Sequence, residues 1–376
     1  MRALLVALLV LSACKETTAE MPKTSPVTAA QAEDFAKRFE VAMSKCTHDV
    51  EDMVDLDTML RMGLAGKTMD RDFMKGVLQG ARQSRATSQM LCSAVASGGS
   101  YKLLRIRTVD GEPRPIFRSI IKDGGFNYHE LRLGTSEDNH NVRAVDMYVY
   151  ISGENMSATF AELFGGAMKS MNRGDDMDAM KNGMTHVRQS VASGAFKEAH
   201  DQILKLAPSL RATKAVRLLA IQAEMHLDET DYMKMIDTYR ADFPGDPSID
   251  MVSIDGYFLH KDYAGALKTL DRLDQRVGGD PYIDTLRSHM YAAMEKIPEA
   301  VKTATSATTR EPELVDGWYA LVDADAAAKD FPGAVKAMDV LKKKFQITFD
   351  DAALATQPSL AAVLASPAYK AWKSAP

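Results

Sequence analysis

Lys261-Asp262-Tyr263-Ala264-Gly265-Ala266 and Lys329-Asp330-Phe331-Pro332-Gly333-Ala334 are one motif written twice, and their spacing decides how the second half of this chain is read. Related stretches are Gly194-Ala195-Phe196-Lys197-Glu198-Ala199, Asp231-Tyr232-Met233-Lys234-Met235 and Lys296-Ile297-Pro298-Glu299-Ala300. Counted from the last residue of each, the steps are 36, 31, 34 and 34, with Met235 standing where the others have Ala. Pro247 and Pro281 are 34 apart, as are Tyr257 and Tyr291. A repeat of this length accommodates two helices and two turns. Asp-Pro at 246–247 and 280–281 supplies the start of a new helix, since proline suits the first turn and cannot continue the one before it.

An aromatic three residues ahead of a small Ala sets a ring where only a small side chain allows two helices to approach closely. Phe196 with Ala199, Tyr263 with Ala266 and Phe331 with Ala334 fit this pattern, and Tyr232, Ala300 and Trp318 are placed in the same packing layer. This stretch resembles the tetratricopeptide repeat. Trp318, 16 residues before Ala334, matches the family's first-helix tryptophan, and Tyr257 and Tyr291 match its tyrosine. Ile254 and Val322 depart from the family's small residue. Four repeats run from about 214 to 348, with a poorer one at 180–213. The resemblance implies a superhelix whose groove binds proteins or peptides. No residues of a clamp for a peptide carboxylate are recognisable. Leu354, Leu360, Val363, Leu364, Tyr369 and Trp372 in 349–376 have helical spacing and predict a capping helix.

Upstream, residues 28–172 predict a different unit. Ala32, Phe35, Phe39, Met43 and Cys46 follow a helical period, a second helix is expected over Asp55–Ala65, and a third from near Asp70 towards Ser97. The period then changes to that of strands over Tyr101–Val109, Pro115–Ile121, Phe126–Leu133 and Val142–Ile151, and Ser157–Met171 returns to helix. Short loops make the four strands antiparallel neighbours. The fold class expected is therefore α+β, helices followed by a four-stranded antiparallel sheet, and then an all-α array. The element order is similar to the cone-shaped fold of nuclear transport factor two and its relatives, a resemblance that implies a pocket between sheet and helices.

Candidates for chemistry in this unit are polar residues on strands. Tyr128, His129, Asp146 and Tyr148 would line any ligand pocket. Asp146 needs a partner if buried, and Arg105, Arg107, Arg118, Arg132 or Arg143 could supply one. A cross-strand ion pair on a solvated face and a catalytic Asp146–His129 pair are the two readings of these residues.

Arg2 precedes an apolar or small run, Ala3 to Ala13, that is too short to span a bilayer and suits a secretory signal. Leu11-Ser12-Ala13-Cys14 resembles the lipobox of bacterial lipoproteins. That resemblance implies cleavage after residue 13, acylation of Cys14 and a membrane anchor of two or more chains. Lys15 rather than Asp after the cysteine implies the outer membrane of the envelope. Residues 14–27, with Pro22, Pro26 and several Thr, read as a tether. The remaining Cys46 and Cys92 are either a disulfide or two buried thiols.

With 46 basic and 51 acidic residues, net −5, the chain has no basic footprint for nucleic acid. Gly63 to Thr68 imitates a phosphate loop, but Arg61 stands where its first glycine belongs. No HExxH, GxSxG, GxGxxG or CxxC occurs, so no metal, cofactor or catalytic centre is expected. Met168, Met171, Met177, Met180 and Met184 are read as core or partner surface rather than as a copper site. The function expected is a non-enzymatic, lipid-anchored envelope adaptor that binds partner proteins. The alternative is a periplasmic small-molecule or lipid binder with its pocket in the α+β unit.

Overall fold

A computed structural model describes residues 16–70, 72, 75, 76, 79, 91, 92, 94–122, 125–136, 139–162, 183, 186–191 and 193–374. The chain divides into two units, Met1–Lys181 and Asn182–Pro376. Cys14, the apolar run before it and the methionines at 168, 171, 177, 180 and 184 lie outside the described residues.

The first unit opens with β1 (Glu16–Thr18) and β2 (Thr24–Ser25). Then come α1 (Ala29–Lys45), α2 (Asp49–Met53), α3 (Leu56–Leu64) and β3 (Thr68–Asp70). Thr28 starts α1 through a capping box with Gln31, and Asp55 caps α3 by accepting from Thr58 N at 3.0 Å. Thr68 to Asp70 pair as β3 with β1, and the described residues 72, 75, 76 and 79 beyond them are helical, so the helix expected from near Asp70 follows the strand.

β4 (Ser100–Val109), β5 (Glu112–Ile120), β6 (Phe126–Ser136) and β7 (Asn139–Val149) form the antiparallel meander that the alternation predicts. The sheet nonetheless has six strands, not four. β8 (Glu154–Asn155) pairs with β7, and β2 pairs with the far end of β6. Each added strand is two residues long, too short to carry a readable alternation. Register shifts between Leu103 and Arg105, and between Arg132 and Leu133, bend the sheet.

Helix α1 packs on one sheet face. Phe35, Phe39, Tyr101 and Phe117 are buried there, with ring centroids 5.2–6.0 Å apart along Phe35–Phe39–Tyr101–Phe117. These rings fill the space between α1 and the sheet. A disulfide joins Cys46, the exposed left-handed cap of α1, to buried Cys92, with Cα atoms 5.5 Å apart.

The second unit is a long run of helices. After helical residues 186–191 come α4 (Phe196–Lys205), α5 (Pro208–Arg211), α6 (Lys214–Glu224), α7 (Glu229–Asp242), α8 (Ser248–Leu259) and α9 (Tyr263–Val277). They are followed by α10 (Pro281–Ala293), α11 (Ile297–Arg310), α12 (Val315–Ala327) and α13 (Phe331–Phe345). The second helix of successive pairs begins at Phe196, Glu229, Tyr263, Ile297 and Phe331, steps of 33, 34, 34 and 34. Asp228, Asp262 and Asp330 cap α7, α9 and α13, while Lys261, Glu295 and Lys329 turn into α9, α11 and α13 with φ of 58–62°.

In place of one capping helix, 349–376 contains three short ones, α14 (Asp351–Leu354), α15 (Pro358–Ala365) and α16 (Pro367–Ser374). Pro358 and Pro367 each restart the chain. Leu360, Val363 and Tyr369 are buried with Val322, Met338 and Leu341 of the last pair.

Candidate functional site

The four sheet residues singled out by sequence do not converge. Tyr128 and His129 are neighbours on β6, so they point to opposite faces. His129 lies on the α1 side, its Nδ1 3.1 Å from the Tyr101 hydroxyl. Asn127 Oδ1 accepts from Tyr128 N and Ile151 N, so its Nδ2 donates to His129 Nε2 at 3.2 Å. That leaves the His129 proton on Nδ1. Burial pushes the imidazole pKa down to about 4.

On the other face, Tyr128, Tyr150 and Tyr148 form a chain of edge-on rings, with centroids 5.6 and 5.2 Å apart. The buried acid among them is Glu130, which sequence reading did not single out. Glu130 pairs with Arg107, lies 3.8 Å from Arg114 and accepts from the Tyr150 hydroxyl at 3.4 Å. Its only advance signal was mid-strand position beside arginines on adjoining strands.

Asp146 is buried, and it serves a helix rather than an ion pair. It accepts from Ser157 Oγ at 2.5 Å, Ser157 N at 3.2 Å and Met147 N at 2.9 Å, anchoring the helical residues 156–162. Its register partner Arg132 instead grips Glu112, with both contacts at 3.1 Å. Arg143 holds Asp52 O and Val54 O and lies 3.6 Å from Asp55. Asp146 and His129 therefore form no acid–base pair.

In the helical unit Ala199, Ala266, Ala300 and Ala334 are fully buried, each three residues into its helix. Phe196, Tyr263 and Phe331 stand half-buried at the helix starts. Trp318 donates to Pro312 O at 3.0 Å. Met235 does not occupy the alanine place. Helix α7 begins at Glu229, so the residue equivalent to Ala266 is Tyr232, fully buried. The motif at 231–235 is thus shifted by three residues, because an aromatic there imitated the helix-start ring.

The first helices of three successive pairs carry Asp255, His289 and Asp323 at a 34-residue spacing, all reaching solvent. Neighbouring protein nevertheless strips water from them. Desolvation raises the Asp255 pKa against a smaller pull from His226, and lowers that of His289 against Asp316. It lifts Asp323 to about 6. Tyr319, 40% exposed, lies one turn before Asp323. Asp255, His289 and Asp323 thus stand open on successive first helices, with the exposed ring of Tyr319 beside the last. The spacing was legible in the sequence, but aromatic and alanine positions dominated the repeat signal.

Among the described residues no group of three or more His, Cys, Asp or Glu side chains could hold a metal ion. No helix among them is long and apolar enough to cross a membrane. No protein-family model matches the chain, and no curated protein matches it.

Proposed function

We propose that this chain is a non-enzymatic, lipid-anchored adaptor of the bacterial envelope. Cys14 carries the acyl anchor, and the α+β unit follows with little of the expected 14–27 tether left free, because residues 16–18 and 24–25 are strands paired with β3 and β6. A tetratricopeptide-like superhelix from about 180 to 348 recruits partner proteins. The observation that carries this reading is the recurrence of helix pairs at steps of 33–34 residues, with an alanine buried at the same depth of four of the five second helices. Such a repeat exposes the same positions of successive helices along one surface, the geometry that engages an extended partner segment. Asp255, His289, Tyr319 and Asp323 belong to that surface.

The anchor rests on the resemblance of Leu11-Ser12-Ala13-Cys14 to a lipobox, and outer-membrane sorting on Lys15. Fractionation of cells expressing the full chain tests this half. The parent should pellet with outer membranes, and Cys14→Ser should lose acyl incorporation and leave the membrane fraction. Membrane-bound Cys14→Ser without acylation would remove the lipid-anchor reading.

A further inference from the structure

A cleft of about 320 Å³ opens between α4, α5, α6 and α7, well within the helical unit. Its walls include Ile203 and Leu204 of α4, Ile221 of α6 and Met235 of α7, and Arg211 and Arg217 stand among them. Ile203 and Ile221 are buried, whereas Leu204 presents an apolar side chain that is 56% exposed at the opening. The size lies at the small end of ligand sites, which combine apolar walls with a few polar groups that fix orientation.

The two guanidinium groups set the ligand's charge. Arg217 gives Nη2 to Asp242 at 2.8 Å, but its Nε is buried with no acceptor. The Nε of Arg211 is likewise buried without an acceptor, and among the described residues no carboxylate lies within ion-pair distance of Arg211. Guanidinium is always protonated, and its planar fork matches a carboxylate through two parallel N–H donors. Arg211, with no carboxylate among the described residues to neutralise it, stands beside an apolar wall, so an anion that carries its own apolar body complements both its charge and its surroundings.

We propose that this cleft is a binding site for a medium-chain aliphatic carboxylate. The chain lies against Ile203, Leu204, Ile221 and Met235, and the carboxylate meets Arg211 with Arg217 beside it. The inference does not depend on the adaptor reading, since a protein partner and a small amphiphile would occupy different surfaces.

Calorimetric titration of the full chain with octanoate, octanol and acetate tests it. Octanoate should bind saturably, at least about tenfold more tightly than octanol, which lacks the charge, or acetate, which lacks the chain. Arg211→Gln should weaken octanoate by about tenfold or more and erase the preference over octanol, with its melting temperature as the folding control. The Met235 methyl resonance should shift on octanoate addition. Equal affinity for octanoate and octanol in the parent protein would overturn the proposal, as would undiminished octanoate binding by folded Arg211→Gln. The parent comparison decides the matter even if Arg211→Gln fails to fold.

Discussion

The phenol of Tyr232 occupies the space where a Cβ on Gly256 would stand. Tyr232 replaces the buried alanine of the other second helices, and Gly256 in the next first helix is what admits the larger ring. One large-for-small exchange is thus offset by a small residue on the facing helix, and the repeat keeps its step. Glycine inside α8 costs about 1 kcal/mol of helix propensity, so Gly256→Ala would be favourable on an isolated helix. Overpacking against the ring costs about 1–3 kcal/mol and should win. Gly256→Ala is therefore expected to destabilise the helical unit. Tyr232→Ala should cost about 3–5 kcal/mol through the cavity it leaves. The double variant should fall short of the sum by about 1 kcal/mol or more, measured by urea unfolding in a double-mutant cycle. Strict additivity would deny the pairing.

The Cys46–Cys92 disulfide closes a loop across a sequence separation of 46. In the chain-entropy account a loop of this length constrains the unfolded state by about 4 kcal/mol. Cys46→Ser with Cys92→Ser, or reduction, is expected to lower the melting temperature of the first unit and leave the helical unit's transition unmoved. Differential scanning calorimetry with and without reductant checks this.

His129 is held neutral, its pKa lowered to about 4 by burial against an ordinary value of 6.5. Above pH 6.5 neither folded nor unfolded imidazole is charged, so it imposes no charging cost there. As pH falls from 6.5 to 4 the unfolded chain takes the proton first, and stability is lost across that window, by about 1–3 kcal/mol. His129→Gln should flatten this part of the stability–pH curve. Nitrogen NMR should find the proton on Nδ1 and no titration of His129 above pH 5.5.

Asp325 is 7% exposed in α12, and burial followed by the charge of Asp330 raises its pKa to about 6. Between pH 3.8 and 6 the folded carboxyl keeps a proton that the unfolded chain has released, so stability falls as pH rises through that window. At pH 7.5 the full cost is present. Asp325→Asn is expected to stabilise the protein there by about 1–2 kcal/mol, screening having reduced the full linkage value, and to gain nothing below about pH 3.8. Melting temperatures at the two pH values measure it.

What could be read in advance follows from which signals survive at the scale of single residues. The four long strands were legible because Tyr101–Val109 and its successors alternate over many residues. The helix pairs were legible because Asp262 and Asp330 cap second helices ahead of an aromatic, so capping and packing agree. Thr24–Ser25 and Glu154–Asn155 join the sheet through backbone pairing alone, which leaves no trace in side-chain pattern. Tyr232 was misplaced by three residues because its compensation, Gly256, is 24 residues away and meets it only in three dimensions. Charge pattern alone pairs Asp146 with a cation. Its partner is instead the start of a helix, 11 residues on, whose N–H and hydroxyl donors no charge pattern marks. The proposed pocket residues separated because His129 and Tyr128, adjacent in sequence, must face opposite ways on a strand.

An adaptor of this build would meet its partner on the first helices of the array. A photo-crosslinking residue at position 289 or 323, on first helices, can be compared with one at exposed position 302 on α11, in the full chain in living cells. The account predicts discrete crosslinked protein species from 289 and 323 that are absent from 302. Identical crosslinking patterns at all three positions, or no protein adduct at 289 and 323, would contradict it.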